Sequence, residues 1–240
     1  MPCGVRRFLW QNGVADTKPP HQGTCPGRIE RLWTSYDRTI HVMKATHLLE
    51  RPTISKLRPL PDHLKSHLRV VFIGINPGLR SAAVGHHYAG PSNRFWKLLY
   101  EARLVSRPLT YREDAQVLRW GIGLTNLADR PTSGSNELSA IDYARGRNEL
   151  IDKITRFRPQ TVALLGLTLY PRLYPDRKPV PRPVLGLQDD ILGHSRVFLL
   201  PNPSGRNAGY SYGSMLEAFR QLAEWLDAHP AKGTGNPIRL

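Results

Sequence analysis

The sequence predicts an α/β protein, a single-domain three-layer sandwich in which helices flank a mainly parallel central sheet. Short runs of apolar, often β-branched residues alternate with segments that carry apolar side chains at helical spacing. Three of these runs lead into polar loops rich in turn-forming residues. Hydrophobic residues make up 40% of the 240-residue chain, which is enough for one sizeable core.

Four strands are predicted, over residues 70–75, 121–127, 161–165 and 197–200. The first is a nearly continuous apolar run, which is typical of a strand buried on both faces. The carboxyl ends of parallel strands share one rim of a sheet, and ligands bind there. We therefore expect the loops at residues 74–78, 125–132 and 201–208 to converge on a single site.

Three helices are predicted from capping signals and apolar stripes. Ser92 and Asn93 are suited to cap the first helix, and Ser139 with Asp142 forms a capping-box pattern before the second. The third helix lies near the C-terminus. The stripes are Phe95, Leu98, Leu99 and Ala102; Leu150, Ile151, Ile154 and Phe157; and Met215, Ala218, Phe219, Leu222 and Leu226.

The chain is strongly basic, with 34 Lys and Arg against 19 Asp and Glu and a formal net charge of +15. Such a surface attracts polyanions, nucleic acid above all, although a basic tail that only maintains solubility would give the same count. Residues 1–50 lack periodicity and are predicted to be a weakly ordered basic extension. Residues 51–230 form the predicted folded domain, and residues 231–240 a short tail.

Several classes of protein are excluded by composition. The two cysteines, Cys3 and Cys25, are too few for a four-cysteine iron–sulfur cluster or zinc site. No apolar run approaches the roughly 18 residues of a membrane helix, and no secretory signal is evident. His86 and His87 are adjacent, so they point apart, and no companion ligands follow at metal-binding spacing. We expect a cytoplasmic protein, nucleoid-associated in a bacterium, with no metal and no cofactor.

The three loops carry specific motifs, which read Gly-Ile-Asn-Pro-Gly at 74–78, Thr-Asn-Leu-Ala-Asp-Arg-Pro-Thr at 125–132 and Pro-Asn-Pro-Ser-Gly-Arg-Asn at 201–207. Together they resemble the mismatch-specific uracil/thymine-DNA glycosylases, a branch of the uracil-DNA glycosylase superfamily, and the resemblance extends from about residue 69 to 226. The resemblance implies the fold of that superfamily. It also implies that the protein flips uracil, or thymine mispaired with guanine, out of the duplex and excises it.

The resemblance implies that Asn76 is the catalytic residue and positions the attacking water. A carboxamide is no general base near neutral pH, so it can only hold the water through its carbonyl oxygen. The reaction then depends on stabilising the departing base as an anion. A lyase step would need an amine that forms a Schiff base, and no lysine occupies position 76. We therefore expect a monofunctional glycosylase. Outside this motif, an asparagine before Pro77 would be interpreted as a turn residue.

The resemblance also implies the residues that bind the flipped base. Tyr88 matches an aromatic that stacks on the pyrimidine, a position where phenylalanine is commoner. Asn126 and Thr132 match positions that hydrogen-bond its edge. As structural alternatives, these three could be a core aromatic, a strand-end cap and a loop surface residue. The complete predicted set is Gly74, Ile75, Ser81, Tyr88, Asn126 and Thr132.

The last loop is predicted to hold the DNA. Ser204 and Gly205 match residues that grip a backbone phosphate, and Asn202 belongs to the same motif. Arg206 matches the residue that fills the space left by the flipped base, where it can hydrogen-bond the opposite strand. An isolated exposed arginine would be only a solvated charge. The expected partner is double-stranded DNA with a G·U or G·T mismatch, bound by a monomer.

Three alternatives remain open from the sequence. A catalytically silent DNA- or RNA-binding protein of this fold would be expected to lack Asn76, Tyr88 or the Ser204 loop, and this chain keeps all three. A glycosylase of altered scope would act on hypoxanthine, xanthine or oxidised pyrimidines. A small-nucleotide hydrolase fits less well with the basic charge and with Arg206.

Overall fold

A computed structural model describes residues 57–176 and 184–230 of the chain. The predicted extension at residues 1–50 and the tail at 231–240 lie outside these residues. The helices are α1 (Leu79–Val84), α2 (Phe95–Glu101), α3 (Ala140–Phe157), α4 (Leu169–Leu173) and α5 (Tyr212–Ala228). The strands are β1 (Val70–Gly74), β2 (Ile122–Asn126), β3 (Thr161–Leu165), β4 (Gly186–Leu192) and β5 (Ser195–Leu200).

The strands form one five-stranded sheet in the order β2-β1-β3-β5-β4. All pairs are parallel except β4 with β5, which is antiparallel. The four parallel strands are those that the sequence predicts, within two residues at each end. The edge strand β4 was missed because it is polar and exposed on one face, with two aspartates in seven residues. The predicted mainly parallel α/β fold is confirmed.

Successive side chains of the central strands enter two separate cores, which makes the fold three layers. Val70 and Phe72 of β1 pack on one face with α2 and α5, whereas Val71 and Ile73 pack on the other with α3 and α4. All five residues of β1 are buried. This alternation is the two-residue period of a strand, and burial on both faces explains the continuous apolar run.

Helix caps agree closely with the sequence. Ser139 and Asp142 form the predicted capping box, in which each side chain accepts a backbone N–H of the other residue. Before α2, Asn93 Oδ1 accepts the N–H of Phe95 at 2.9 Å, although Arg94 occupies the formal N-cap position. The predicted stripe of α5 is buried in full.

One stripe prediction was wrong. Leu150 and Ile154 of α3 are buried, but Ile151 is 36% exposed and Phe157 is half-buried. Residues 150 and 154 are one turn apart and share a face, whereas residue 151 is rotated by about 100° from it. Within residues 57–176 and 184–230, every helix is too short or too polar to cross a bilayer.

Candidate active site

A cleft of about 890 Å³ opens at the carboxyl ends of the parallel strands. The loops after β1, β2 and β5 converge there, as predicted from the parallel sheet. Residues 165–168 after β3 also line it, which the sequence did not indicate. Every residue that the sequence singled out lies in its wall: Gly74, Ile75, Asn76, Ser81, Tyr88, Asn126, Thr132, Asn202, Ser204, Gly205 and Arg206.

The carboxamide of Asn76 is held through its nitrogen. Asn76 Nδ2 donates to Thr132 Oγ1 at 2.7 Å, to the Arg130 carbonyl at 3.1 Å and to the Pro77 carbonyl at 3.2 Å. Two of these acceptors are carbonyls, which fixes the nitrogen end of the amide on this side. Asn76 Oδ1 accepts no hydrogen bond from the described residues, so the carbonyl end of this cleft-lining side chain is left available.

Thr132 orients Asn76 in this structure. Its hydroxyl is buried, donates to the Gly134 carbonyl at 2.8 Å and accepts from Asn76 Nδ2. Because the hydroxyl proton is committed to Gly134, Thr132 Oγ1 must act as an acceptor toward Asn76. In this structure the hydroxyl that the resemblance assigns to base contacts is engaged with Asn76 and Gly134, and its role toward a base stays a prediction.

A second support for Asn76 comes from Arg130, whose carbonyl accepts from Asn76 Nδ2. Arg130 Nη2 forms a salt bridge with Asp142 Oδ2 at 2.8 Å and also donates to the Glu137 carbonyl at 2.5 Å. Arg130, followed by the Ser139 N–H, holds the pKa of Asp142 well below its ordinary value. The capping box of α3 thus also anchors the loop that supports Asn76.

Gly74 makes room for the carboxamide of Asn126. The two residues are paired across β1 and β2, and a Cβ at position 74 would lie 2.5 Å from Asn126 Oδ1. Any other residue would displace this amide. Asn126 is only 7% exposed, and its side-chain oxygen and nitrogen have no hydrogen-bond partner among the described residues. A cleft-lining amide with both functions free can read a donor–acceptor edge.

The bonds of Ile75 and Ser81 connect the neighbouring loops. The Ile75 carbonyl accepts the N–H of Ala128 at 2.8 Å, which extends the pairing of β1 and β2 into their loops. Ser81 is buried in α1, and its Oγ accepts the N–H of Ala89 at 3.0 Å. Both residues line the cleft and also hold its walls together.

Tyr88 forms an aromatic wall of the cleft. Its ring lies 4.0 Å from that of Phe95, centroid to centroid, at 31°. Its backbone has φ of 53°, in the left-handed region that a tyrosine rarely adopts. Burial raises the pKa of its phenol, and its hydroxyl has no hydrogen-bond partner among the described residues. A strained, partly unsatisfied residue at a cleft is typical of a functional site.

Behind Tyr88, His87 and Asp114 form a buried polar contact that the sequence did not reveal. His87 is 1% exposed, and its Nε2 lies 2.9 Å from the Pro61 carbonyl, which identifies Nε2 as the protonated nitrogen. Burial lowers the pKa of His87, against the opposing effect of the Pro61 bond. Its backbone N–H donates to Asp114 Oδ2 at 2.9 Å.

The loop after β5 is stabilised by its own side chains. Asn202 Oδ1 accepts the N–H of Ser204 at 2.9 Å, and Ser204 Oγ accepts that of Arg206 at 3.3 Å. Asn207 Nδ2 donates back to the Asn202 carbonyl at 2.9 Å. In this structure Asn202 therefore shapes the loop, and Asn207 is a further structural residue that the sequence analysis did not single out.

Gly205 packs directly on the segment before α2. A Cβ at position 205 would lie 2.3 Å from Ser92 Oγ and 2.7 Å from the Ser92 carbonyl, so no other residue fits. The N–H of Arg94 donates to the Pro203 carbonyl at 2.9 Å, which ties the same two segments together. This explains the glycine by packing, independently of any phosphate.

Arg206 is exposed and reaches across the cleft. Its Nη1 donates to the carbonyl of Ser133, in the loop after β2. Arg80, at the rim, donates from its Nε to the Ala89 carbonyl at 2.9 Å. Within the described parts of the chain, no three His, Cys, Asp or Glu side chains are grouped to hold a metal.

Comparison with known proteins identifies the family of the chain. The sequence model of the uracil DNA glycosylase superfamily matches residues 61–227, which include all the loops that form the cleft. Among solved structures, the chain is similar to a protein from Methanosarcina acetivorans, described as a "putative Uracil DNA glycosylase" and determined by solution NMR. The two share 19% sequence identity, with 69% of this chain and 98% of that chain covered and a TM-score of 0.44.

Proposed function

The chain belongs to the uracil DNA glycosylase superfamily, and from this premise we propose that it removes uracil, and thymine where the pocket admits it, opposite guanine. Members of this superfamily are DNA glycosylases, hydrolases that act in DNA repair. The finer proposal is a monofunctional enzyme that flips the base out of mismatched duplex DNA. It hydrolyses the bond between base and sugar and leaves an abasic site.

The orientation of Asn76 carries this proposal. Its nitrogen is used by Thr132, Arg130 and Pro77, so the carbonyl oxygen is the end left for a ligand in the cleft. A carbonyl oxygen accepts a hydrogen bond from water and holds it in one place, which lowers the entropic cost of attack on the sugar carbon. Asn76 takes up no proton in this scheme, so the water is oriented rather than deprotonated by it.

The neighbouring residues suit the leaving base. The free carboxamide of Asn126 offers both a donor and an acceptor, which matches the edge of uracil or thymine. Tyr88 offers a ring face to a base that has lost its stacking neighbours in the duplex. Hydrogen-bond donors directed at the base oxygens would stabilise the anion as the glycosidic bond breaks.

The loop at residues 201–207 suits the DNA backbone and the space opened by flipping. It is held rigid by Asn202, Ser204 and Asn207, and Arg206 extends from it over the cleft. A long cationic side chain can fill the vacated position and donate to bases of the opposite strand. The net charge of +15 supports binding to a polyanion.

The cleft wall also supports a monofunctional mechanism. A glycosylase with lyase activity needs an amine that attacks the sugar and forms a Schiff base. No lysine is found among the described residues that line the cleft. Water is then the nucleophile, and the products are the free base and an intact abasic strand.

The test is incubation of the purified full chain with labelled duplexes that carry one G·U, G·T, A·U or G·C pair, followed by alkaline cleavage of abasic sites. We expect cutting at G·U, less or none at A·U and none at G·C, while the G·T lane defines the scope. Omitting alkali tests for lyase activity, and we expect intact strands. Duplexes with hypoxanthine or xanthine cover the altered-scope alternative, since cutting only there would refute uracil as the substrate.

A further inference from the structure

Asp114 is a buried carboxylate outside the three motif loops. It belongs to the 3₁₀-helical segment Tyr111–Trp120, just before β2, and is 3% exposed. A charge at such depth is costly unless it is hydrogen-bonded, so its partners show what it does. Two of those partners, His86 and His87, lie in residues 85–90, here termed the strap, which connects α1 to the segment before α2 and includes Tyr88.

Asp114 grips the strap at two adjacent residues. Its Oδ2 accepts the backbone N–H of His87 at 2.9 Å, and its Oδ1 lies 3.1 Å from His86 Nδ1. On the other side, His63 Nε2 lies 3.2 Å from Asp114 Oδ2, at ion-pair distance. The carboxylate thus joins the strap to its own segment and to residues before β1. Its oxygens also cap the segment locally, through the N–H of Ala115.

The far end of the strap is held independently. The N–H of Ala89 donates to Ser81 Oγ at 3.0 Å, and its carbonyl accepts from Arg80 Nε at 2.9 Å. Tyr88 therefore lies between two clamps, Asp114 acting on His87 and α1 acting on Ala89. A left-handed φ of 53° in a tyrosine persists only where the surroundings over-determine it, and these clamps supply that constraint.

We propose that Asp114 is a positioning residue that fixes Tyr88 as a wall of the base pocket by holding the strap at His86 and His87. This inference rests on the proposed function, because the wall is needed only if a flipped base enters the cleft. Loss of the carboxylate frees the strap and lets the ring move, which lowers the rate of base excision. The DNA-contacting loop at residues 201–207 has no hydrogen bond to Asp114, so DNA affinity is preserved.

The test compares Asp114→Ala with Glu113→Ala. Glu113 is the matched control because it is the neighbouring carboxylate of the same segment. It also accepts a backbone N–H, that of Thr110, and pairs with Arg107, but has no hydrogen bond or ion pair with the strap. Two readouts are used on the full chain: amide hydrogen exchange of the strap peptide, and excision of uracil from a G·U duplex at saturating protein, with duplex affinity measured separately.

We expect Asp114→Ala to raise strap exchange and to slow maximal excision by about 10²-fold, as for a misplaced active-site group, with duplex affinity within about twofold. Glu113→Ala should change neither. In Asp114→Asn the carboxamide has one oxygen that accepts hydrogen bonds, whereas the carboxylate has two. This variant should therefore be intermediate, about 10-fold slow, and it carries the test if the alanine variant does not fold.

Wild-type rates and exchange in a folded Asp114→Ala protein would overturn the inference while leaving the proposed function intact. Wild-type behaviour of Asp114→Asn would do so if only that variant folds. A fall in excision caused entirely by weaker duplex binding would also overturn it. If the wild-type chain cuts no mismatched duplex, the proposed function fails, and the exchange measurement still decides whether Asp114 holds the strap.

Discussion

The floor of the cleft and its rim are built on opposite physical principles. On the floor, Asn76, Thr132 and Asn126 are neutral and half-buried or buried, and the first two are locked by short directed hydrogen bonds. At the rim, Arg206 and Arg80 are charged and exposed, and each donates to a backbone carbonyl.

This difference indicates a division of labour. Neutral amides in fixed positions determine geometry, and errors of about 1 Å in geometry reduce rates steeply. Exposed charges contribute to affinity for a polyanion and are screened by salt. Substitutions on the floor should therefore change the rate of chemistry, whereas substitutions at the rim should change binding and its salt dependence.

The largest effect is expected for Asn76→Ala on the floor. Removing the carboxamide removes the proposed water site, so single-turnover excision from G·U should fall by about 10³-fold, near the effect of losing a catalytic group. Binding to the same duplex, measured by anisotropy, should remain within about twofold. Asn148, exposed on α3, provides a matched control as Asn148→Ala. Undiminished excision by Asn76→Ala would contradict its assignment.

Thr132 offers a sharper test of the floor. Thr132→Val keeps the shape but removes the acceptor at 2.7 Å from Asn76 Nδ2. The Asn76 amide then retains only its hydrogen bonds to the Arg130 and Pro77 carbonyls and can rotate. Its carbonyl oxygen is no longer fixed, so excision should slow by about 10²-fold. Thr132→Ser restores the hydroxyl and should recover most of the rate. Equal rates for the valine and serine variants would show that the hydroxyl does not orient Asn76.

Asp114 and Asp142 extend the comparison to a buried and a partly exposed carboxylate outside the cleft wall, through acid stability. Burial opposes the charge of Asp114, but His63, the His87 N–H and His86 together hold its pKa well below the ordinary 3.8. A depressed pKa contributes stability that is present above the unfolded value and lost as pH falls below it. Wild type should therefore exceed Asp114→Asn by about 2 kcal/mol above pH ~5, an advantage that declines below pH 3.8.

Urea unfolding between pH 2.5 and 7 measures this difference, and salt distinguishes the contribution of the buried carboxylate from that of the partly exposed one. The Asp114 contribution should be nearly the same at low and at 1 M salt, because buried groups are little screened. The contribution of the more exposed Asp142–Arg130 pair should shrink at 1 M salt in the matched Asp142→Asn variant. A salt-sensitive Asp114 contribution would argue against its burial in solution.

The smallest effect is expected at the rim. Arg206→Ala should leave single-turnover excision within a few-fold but weaken retention of the abasic product by about 10-fold, as for one base-contacting arginine. The salt dependence of binding should also become less steep. Arg156→Ala, on the last turn of α3 at the opposite end of the sheet, removes the same charge away from the cleft. Equal effects of the two variants on product retention and salt dependence would show that Arg206 contributes only a non-specific charge.

Local sequence signals accounted for most of the fold. The capping box of Ser139 and Asp142 and the buried stripe of α5 depend on contacts within a few residues, so the sequence encodes them directly. Strand β4 was not predicted from the sequence because an edge strand with one exposed face lacks a continuous apolar pattern. Ile151 was misassigned because an apolar residue next to a stripe looks like part of it.

The candidate site divides in the same way. Nine of its eleven residues lie in the loops that parallel strands bring to one rim, and the family resemblance added Ser81 and Tyr88; all eleven line the cleft. Their roles in catalysis and in DNA binding stay predictions. The engagement of the Thr132 hydroxyl with Asn76, and of the Asn202 side chain with its own loop, could not be predicted from the motifs.

By itself, the sequence determined the four parallel strands, the layers, the basic charge and the loops that meet at the cleft, because these follow from periodicity and composition. Only the tertiary structure decided which end of the Asn76 amide is free and that Asp114 holds the strap beside Tyr88. These contacts join residues tens of positions apart. They depend on ångström-scale distances between side chains, and no pattern along the chain records such distances.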